Sequence, residues 1–269
     1  MPDPLTWSDE VQGLCALVYG GAMGIGEASA RLLLARGALV TLADRDVAAA
    51  DAWSAPWQAA GRCQTVACDV SRSGDPEGAV SAHLQRFGRL DAAVNSAGIQ
   101  RYGTLETTSD EAWDEVMNVN LRGAFWVARA CIAALRETRG SLVLVASVQS
   151  LGSQAGVLAY TTSKHGLLGL TRAAAVDHAP QGVRVNCVCP GSVDTPMLHW
   201  AASLDSQPAR VLDDVRRMHP LGRVAAASEV AEVIVFLASP RSSFVTGAAY
   251  VVDGGLTVPF GGAPHVEEE

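Results

Sequence analysis

The sequence predicts an α/β protein built on a doubly wound parallel sheet of about seven strands, with helices on both faces. Three observations carry this. Short apolar runs alternate with longer helical ones along the chain, the pattern of parallel strands joined by crossover helices. The strand-like runs are apolar nearly throughout, as expected where both faces of a sheet are covered. No Pro/Gly/Ser-rich linker and no internal repeat interrupts the 269 residues, so a single domain over 1–269 is expected.

The first strand is read over 14–20, "LCALVYG", and a helix follows in "IGEASARLLLARG", ending at Gly37. "ALVTLAD" is a second strand and 46–60 a second helix. "RCQTVACD" is a third strand, 75–87 a third helix and "LDAAVNSAG" a fourth strand. One long helical stretch is expected over 109–138. "GSLVLVAS" is a fifth strand, 157–178 a helix and "GVRVNCVCPG" a sixth strand. Residues 195–218 read as a mixed, mainly helical lid. Helix 228–238 and a short last strand, "AAYVVDGG", complete the pattern. The tail beyond 262 ends in three like charges and is expected to be mobile.

Composition narrows the function. Apolar residues form 49% of the chain and charged ones 18%, the balance of a compact globular protein. The formal net charge is −8 and no basic stripe is present, which argues against nucleic acid as a partner. The first basic residue is Arg31, so no leader pattern is read, and no apolar stretch is long enough to span a bilayer. A cytoplasmic protein with no membrane partner is expected. Six scattered cysteines form no CxxC pair, and the histidines form no HxH or HExxH spacing. They read as buried thiols in a reducing compartment, with no metal site. Cys187 and Cys189, two apart in a strand, face the same side.

The first strand runs into "YGGAMGIG", where a helix begins. Glycines there let the backbone turn tightly and approach a pyrophosphate, and the helix N-terminus offers N–H groups to it. Asp44 ends the second strand about 18 residues after Gly26, where its carboxylate can accept ribose hydroxyls. Asp69 ends the third strand, near the place for an adenine. The loop alone also fits a plain strand-to-helix turn; the two acidic strand ends favour a dinucleotide.

The chain uses arginine nineteen times and lysine once, at Lys164, four residues after Tyr160. In a helix these two side chains share a face. Arg and Lys are interchangeable on a solvated surface but not where a compact ammonium on a flexible stem is needed.

Together these motifs resemble the short-chain dehydrogenase/reductase family, over about 12–255, and imply a Rossmann-type fold. The glycine spacing is G-x-x-x-G-x-G. Tyr19 stands where the family usually has Thr, a much larger residue that must pack differently at the sheet edge, and Met23 stands at a place often Ser, Arg or Lys. "NSAG" resembles the family's Asn-Asn-Ala-Gly segment, "NLRG" supplies Asn120, and Ser147 lies thirteen residues before Tyr160 in "YTTSK". "PGSVDTP" resembles the nicotinamide-holding segment and "VDGG" the C-terminal segment near a subunit contact.

The resemblance implies Asn120, Ser147, Tyr160 and Lys164 as the catalytic set. It implies cofactor contacts from Gly20, Met23, Gly24, Ile25, Gly26, Asp44, Arg45, Asp69, Val70, Asn95, Ala97, Gly98, Tyr160, Lys164, Pro190, Gly191, Val193 and Thr195. It also implies a homotetramer. The expected reaction is NAD-dependent hydride transfer between a secondary alcohol and a ketone. A phenol near pKa 10 is a poor base at neutral pH. A cation about 4 Å away offers it about 4 kcal/mol at an effective dielectric near 20, about three pKa units. Lys164 is that cation and also bonds the nicotinamide ribose. Ser147 holds the substrate oxygen, and Asn120 binds a water linking Lys164 to solvent. Asp44 favours NAD over NADP, because a 2′-phosphate would lie beside its carboxylate; Arg45 is the counter-feature.

Substrate candidates by position are Arg101, Ser147, Gln149, Gln154, Ser192, Met197 and Trp200. The glutamines and Arg101 point to a sugar, polyol or hydroxy acid; Trp200, Leu151 and Met197 point equally to a cyclic or aromatic alcohol. Competing readings are a non-catalytic dinucleotide sensor and a carbonyl reductase working with NADPH.

Overall fold

The computed structural model describes residues 11–259. The expected strands appear as β1 (Cys15–Tyr19), β2 (Leu39–Asp44), β3 (Cys63–Ala67), β4 (Ala92–Asn95), β5 (Ser141–Val145) and β6 (Arg184–Pro190). Two-residue strands β7 (Val193–Asp194) and β8 (Ala225–Ala226) follow, and β9 (Ala249–Val252) is last. The helices are α1 (Gly24–Ala35), α2 (Val47–Ala59), α3 (Asp75–Phe87), α4 (Asp110–Met117), α5 (Gly123–Thr138), α6 (Leu158–His178), α7 (Pro196–Ala202), α8 (Pro208–Arg217) and α9 (Ala227–Ala238). Seven strands make one sheet in the order β3-β2-β1-β4-β5-β6-β9, paired in parallel throughout. The order reverses between β1 and β4, so a crevice opens at their carboxyl ends, the place where such sheets bind ligands.

The unbroken apolar runs have a direct cause. Along β1, Leu17 and Tyr19 enter one core with Val127, Cys131 and Leu135 of α5 and Leu167 of α6. Ala16 and Val18 enter the other, with Leu33 and Leu34 of α1 and Ile234 and Leu237 of α9. Each strand thus feeds two cores on alternate residues, and both sets must be apolar. The edge strands β3 and β9 are less buried than β1, β4 and β5. Cys187 and Cys189 both join the first core, as the strand period requires.

Two expectations change, and a third is drawn in detail. The stretch 109–138 is not one regular helix: a π-helical turn, Asn118–Arg122, separates α4 from α5. Such turns admit one extra residue and re-aim a side chain, a feature that a 3.6-residue period does not reveal. The region 195–218 resolves into α7 and α8, and β7 pairs with β8 beside it. Tyr19 does not pack at the sheet edge. It is fully buried, and its hydroxyl donates to the Pro76 carbonyl 3.0 Å away. The tail beyond 262 lies outside the described residues. Among the described residues no helix is long and apolar enough to cross a membrane.

Candidate active site

The glycine loop closes on itself at the end of β1. Gly20 has φ +74°, and a methyl there would lie 2.6 Å from the Ala97 nitrogen; a methyl on Gly26 would lie 2.0 Å from the Gly20 carbonyl oxygen. Gly24 has φ +59° and faces Thr195, whose Cγ2 would be 3.4 Å from an added methyl. Only glycine fits the first two positions, because backbone cannot yield as a flexible side chain can. Met23 is the N-cap of α1 and its side chain caps nothing, so the first-turn N–H groups of α1, beginning with Gly24, Ile25 and Gly26, face the crevice without a side-chain acceptor.

Asp44 ends β2 and spans the loop. One carboxylate oxygen accepts the Ala22 N–H at 2.9 Å and the other the Asp46 N–H at 3.0 Å. Each oxygen retains acceptor capacity. Arg45 is exposed beside it. Asp69 accepts the Ser71 N–H and hydroxyl and lies 3.6 Å from Arg72. Burial tends to raise its pKa, but the Ser71 bonds together with the Arg72 and Arg45 charges outweigh this and hold it below the ordinary value. Val70 is buried next to it. Asn95 ends β4, with its side-chain oxygen accepting from the Ala97 N–H at 3.3 Å. These residues gather along the carboxyl ends of β1 to β4 and fit a dinucleotide: a glycine cradle, open helix donors and a strand-end carboxylate.

The proposed catalytic side chains also meet. Ser147 follows β5, is buried, and its Oγ accepts the Gln149 N–H at 3.1 Å. Tyr160 and Lys164 lie one turn apart on α6. Lys164 is 4% exposed, its Nζ is 5.5 Å from the Tyr160 ring centroid, and it donates to the Val145 carbonyl at 2.8 Å. A methyl on Gly98 would sit 3.5 Å from Asn120 Oδ1 and 3.7 Å from Lys164 Nζ, so the "NSAG" segment, Asn120 and Lys164 converge on one point. Asn120, on the π turn, accepts the Ile99 N–H at 2.8 Å and donates to the Ile99 carbonyl at 2.9 Å and to Ser163 at 3.1 Å. Both of its N–H groups are therefore used, and one lone pair of Oδ1 remains for a water.

The electrostatics differ from the sequence expectation. Burial pushes the Tyr160 phenol up to about 12, against a hydrogen bond with Ser147 that lowers it. Burial also pulls Lys164 down to about 8. The ammonium turns to Val145, so burial outweighs its help to a phenolate. In this state Tyr160 holds its proton.

Several substrate candidates are committed elsewhere. Arg101 grips both oxygens of Glu115 at 2.6 and 2.8 Å and donates to the Gln100 carbonyl at 2.8 Å. Gln149 Oε1 accepts from the Gln154 N–H and the Thr161 hydroxyl at 3.1 and 3.0 Å. The Ser192 N–H donates to His219 Nε2 at 3.1 Å, while His219 Nδ1 lies 2.8 Å from the Val215 carbonyl. In that pattern Nε2 accepts from Ser192 and Nδ1 faces the Val215 carbonyl, so the ring clamps the segment Pro190–Val193. A methyl added to Gly191 would lie 2.9 Å from Nε2 of the same ring. Met197 is partly buried on α7, and Trp200 is exposed. The sequence reading did not name His219 or Glu115 as site residues. Their partners lie 27 and 14 residues away, and no local spacing signals them.

A parallel doubly wound sheet with a glycine cradle and a clustered Ser, Tyr and Lys at its carboxyl end defines a dinucleotide-dependent class. A family model described as enoyl-(acyl carrier protein) reductase matches residues 20–257. The chain is 40% identical to 2-(R)-hydroxypropyl-CoM dehydrogenase of Xanthobacter autotrophicus, over 90% of this chain and 98% of the relative. It is 35% identical to a 3-alpha-(or 20-beta)-hydroxysteroid dehydrogenase of Mycobacterium tuberculosis, over 92% and 91%. The crystal structure of levodione reductase superposes with a TM-score of 0.89 at 32% identity, covering 93% of this chain and 99% of that one. This chain belongs to the short-chain dehydrogenase/reductase family, whose members bind nicotinamide dinucleotides.

Proposed function

We propose that this protein is an NAD-dependent oxidoreductase that interconverts a secondary alcohol and a ketone, with Tyr160 as the general acid and base. The observation that carries the reading is the clustering of Lys164 beside the Tyr160 ring and beside Gly98, with the Ser147 hydroxyl acting on the Tyr160 phenol. The nicotinamide, when bound, accepts or gives the hydride. In the reducing direction Tyr160 gives its phenolic proton to the carbonyl oxygen, which Ser147 orients; in oxidation the alcohol proton returns to the tyrosine oxygen. A phenol held near 12 suits the donor role, and oxidation requires the Lys164 charge to turn toward it. Asn120 fixes Ile99 and leaves one acceptor toward a water beside Lys164. Gly20, Gly24, Ile25 and Gly26 cradle the pyrophosphate, and Asp44 takes the adenosine ribose. Val193 and Thr195, behind Pro190 and Gly191, hold the nicotinamide side. The intact Ser, Tyr and Lys set favours an enzyme over a dinucleotide sensor.

Tyr160→Phe tests the reading. It keeps the ring and removes the proton, so turnover falls by about 10²-fold or more while NADH affinity holds. A folded variant with near-normal turnover overturns it.

A further inference from the structure

Beside the phenol of Tyr160 lies a second tyrosine. Tyr102 is anchored by its neighbour: the Gly103 N–H donates to the Gly156 carbonyl at 2.8 Å and the Leu158 N–H to the Gly103 carbonyl at 3.2 Å. This bridge holds the loop after β4 against the start of α6, and the Tyr102 phenol lies close enough to Tyr160 to act on it electrostatically. Helix α7 reaches the same place from the opposite side. Its N-cap, Thr195, lies against Gly24 of the glycine loop, and Trp200 stacks on Tyr102 with centroids 6.2 Å apart and planes 26° apart. One helix therefore runs from the dinucleotide cradle to the wall beside Tyr160.

The chemistry of this wall is one-sided. The Arg101 guanidinium lies 5.8 Å from the Trp200 centroid, and its charge is matched by the two-pronged pair with Glu115. The Gln149 oxygen already takes two donors. The Arg101 charge and the Gln149 oxygen, two groups that would read hydroxyls or a carboxylate, are thus engaged within the protein. Tyr102 and Trp200 keep 45% and 39% of their surface exposed. Exposed aromatic faces beside engaged polar groups recognise a flat apolar body by burial and stacking.

We propose that the Tyr102–Trp200 pair determines specificity, and that the substrate carries its secondary hydroxyl or keto group on a carbocyclic ring lying against this pair. The inference rests on the oxidoreductase reading above. Arg101, locked by Glu115, is a positioning residue that acts through Trp200. In oxidation the ring carbon loses a hydride with its electron pair to the oxidised dinucleotide, and the hydroxyl loses its proton to Tyr160 as the phenolate, the form reached when the Lys164 charge turns toward it, leaving the cyclic ketone and a neutral Tyr160.

The test compares kcat/KM for cyclohexanol and 2-hexanol, which match in carbon number and both carry a secondary hydroxyl. Xylitol and lactate serve as hydroxyl-rich and anionic probes. The wild type is expected to favour cyclohexanol by about tenfold or more over each of the others. Trp200→Ala and Tyr102→Ala should each lower the cyclohexanol to 2-hexanol ratio by about fivefold, mainly through KM, and Trp200→Phe should restore most of it. Arg101→Met should lower the ratio in the same direction. Turnover of 2-hexanol, xylitol or lactate as good as that of cyclohexanol, or a ratio unmoved in the alanine variants, overturns this inference and leaves the oxidoreductase reading standing. No turnover of any alcohol or ketone, with Tyr160→Phe indistinguishable from wild type, overturns both.

Discussion

Lys164 gives its ammonium to the Val145 carbonyl, 2.8 Å away, while the same nitrogen lies 5.5 Å from the Tyr160 ring centroid. One turn of α6 separates the two residues, yet the cation serves the end of β5 and not the phenol. The expected pairing of charge with phenolate is therefore a conformational event, made possible by a flexible four-carbon stem that a guanidinium would not copy.

Because Lys164 is the only lysine, a lysine-selective 13C label yields one side-chain signal. Its midpoint is expected near 8, well below the ordinary 10.5, because burial disfavours the charged form. The sign has a second consequence. Between about 8 and 10.5 the unfolded chain holds this proton and the folded one has released it, so the Lys164 contribution to stability rises with pH across that window. A titration midpoint at 10.5 would show a solvated ammonium and contradict the placement.

Asn120→Ala removes the acceptor of the Ile99 N–H and the donor to the Ile99 carbonyl at once. A lost partner for a buried polar group costs about 1–3 kcal/mol, less where water can enter, so a total of about 2–3 kcal/mol is expected. Urea unfolding measures it. Turnover should fall as well, since Gly98 and Ile99 sit beside Lys164. A variant as stable and active as wild type would remove Asn120 from the site.

Asp44 is expected to set a preference for NAD over NADP of about 10²-fold, about 2.7 kcal/mol. A 2′-phosphate brings close to two negative charges beside its carboxylate. Asp44→Ala should cut the ratio of kcat/KM for the two cofactors by about tenfold or more. It should also loosen the glycine loop, whose Ala22 N–H it holds. A wild-type ratio near one, or no change in the variant, would make Arg45 the stronger voice.

A homotetramer is expected from the family resemblance, with α4, α5, α6 and β9 as the pairing elements. The edge strand β9 leaves Tyr250 and Val251 partly exposed, and Phe244 nearby is fully exposed. Closed symmetric assemblies bury such faces. Sedimentation at micromolar concentration should show a species of about four times the chain mass, and a single 28.0 kDa species would contradict it.

The sequence by itself determined the strand and helix order, the two-faced burial of the sheet, the glycine turn at 20–26 and the shared face of Tyr160 and Lys164. Each depends on residues within a few positions of one another, where strand and helix periods and backbone sterics act. Only the tertiary structure decided where the side chains spent their hydrogen bonds. Tyr19 found Pro76, Arg101 found Glu115, Ser192 found His219 and Lys164 found Val145. Arg101 reads as a substrate ligand until Glu115 is beside it, and Trp200, a substrate candidate by position, meets its partner Tyr102 only in the fold. These partners come from separate elements, and their meeting depends on how the sheet stacks its loops at one edge. Local periodicity carries no record of that, because a side chain's partner is fixed by packing through space and not by distance along the chain.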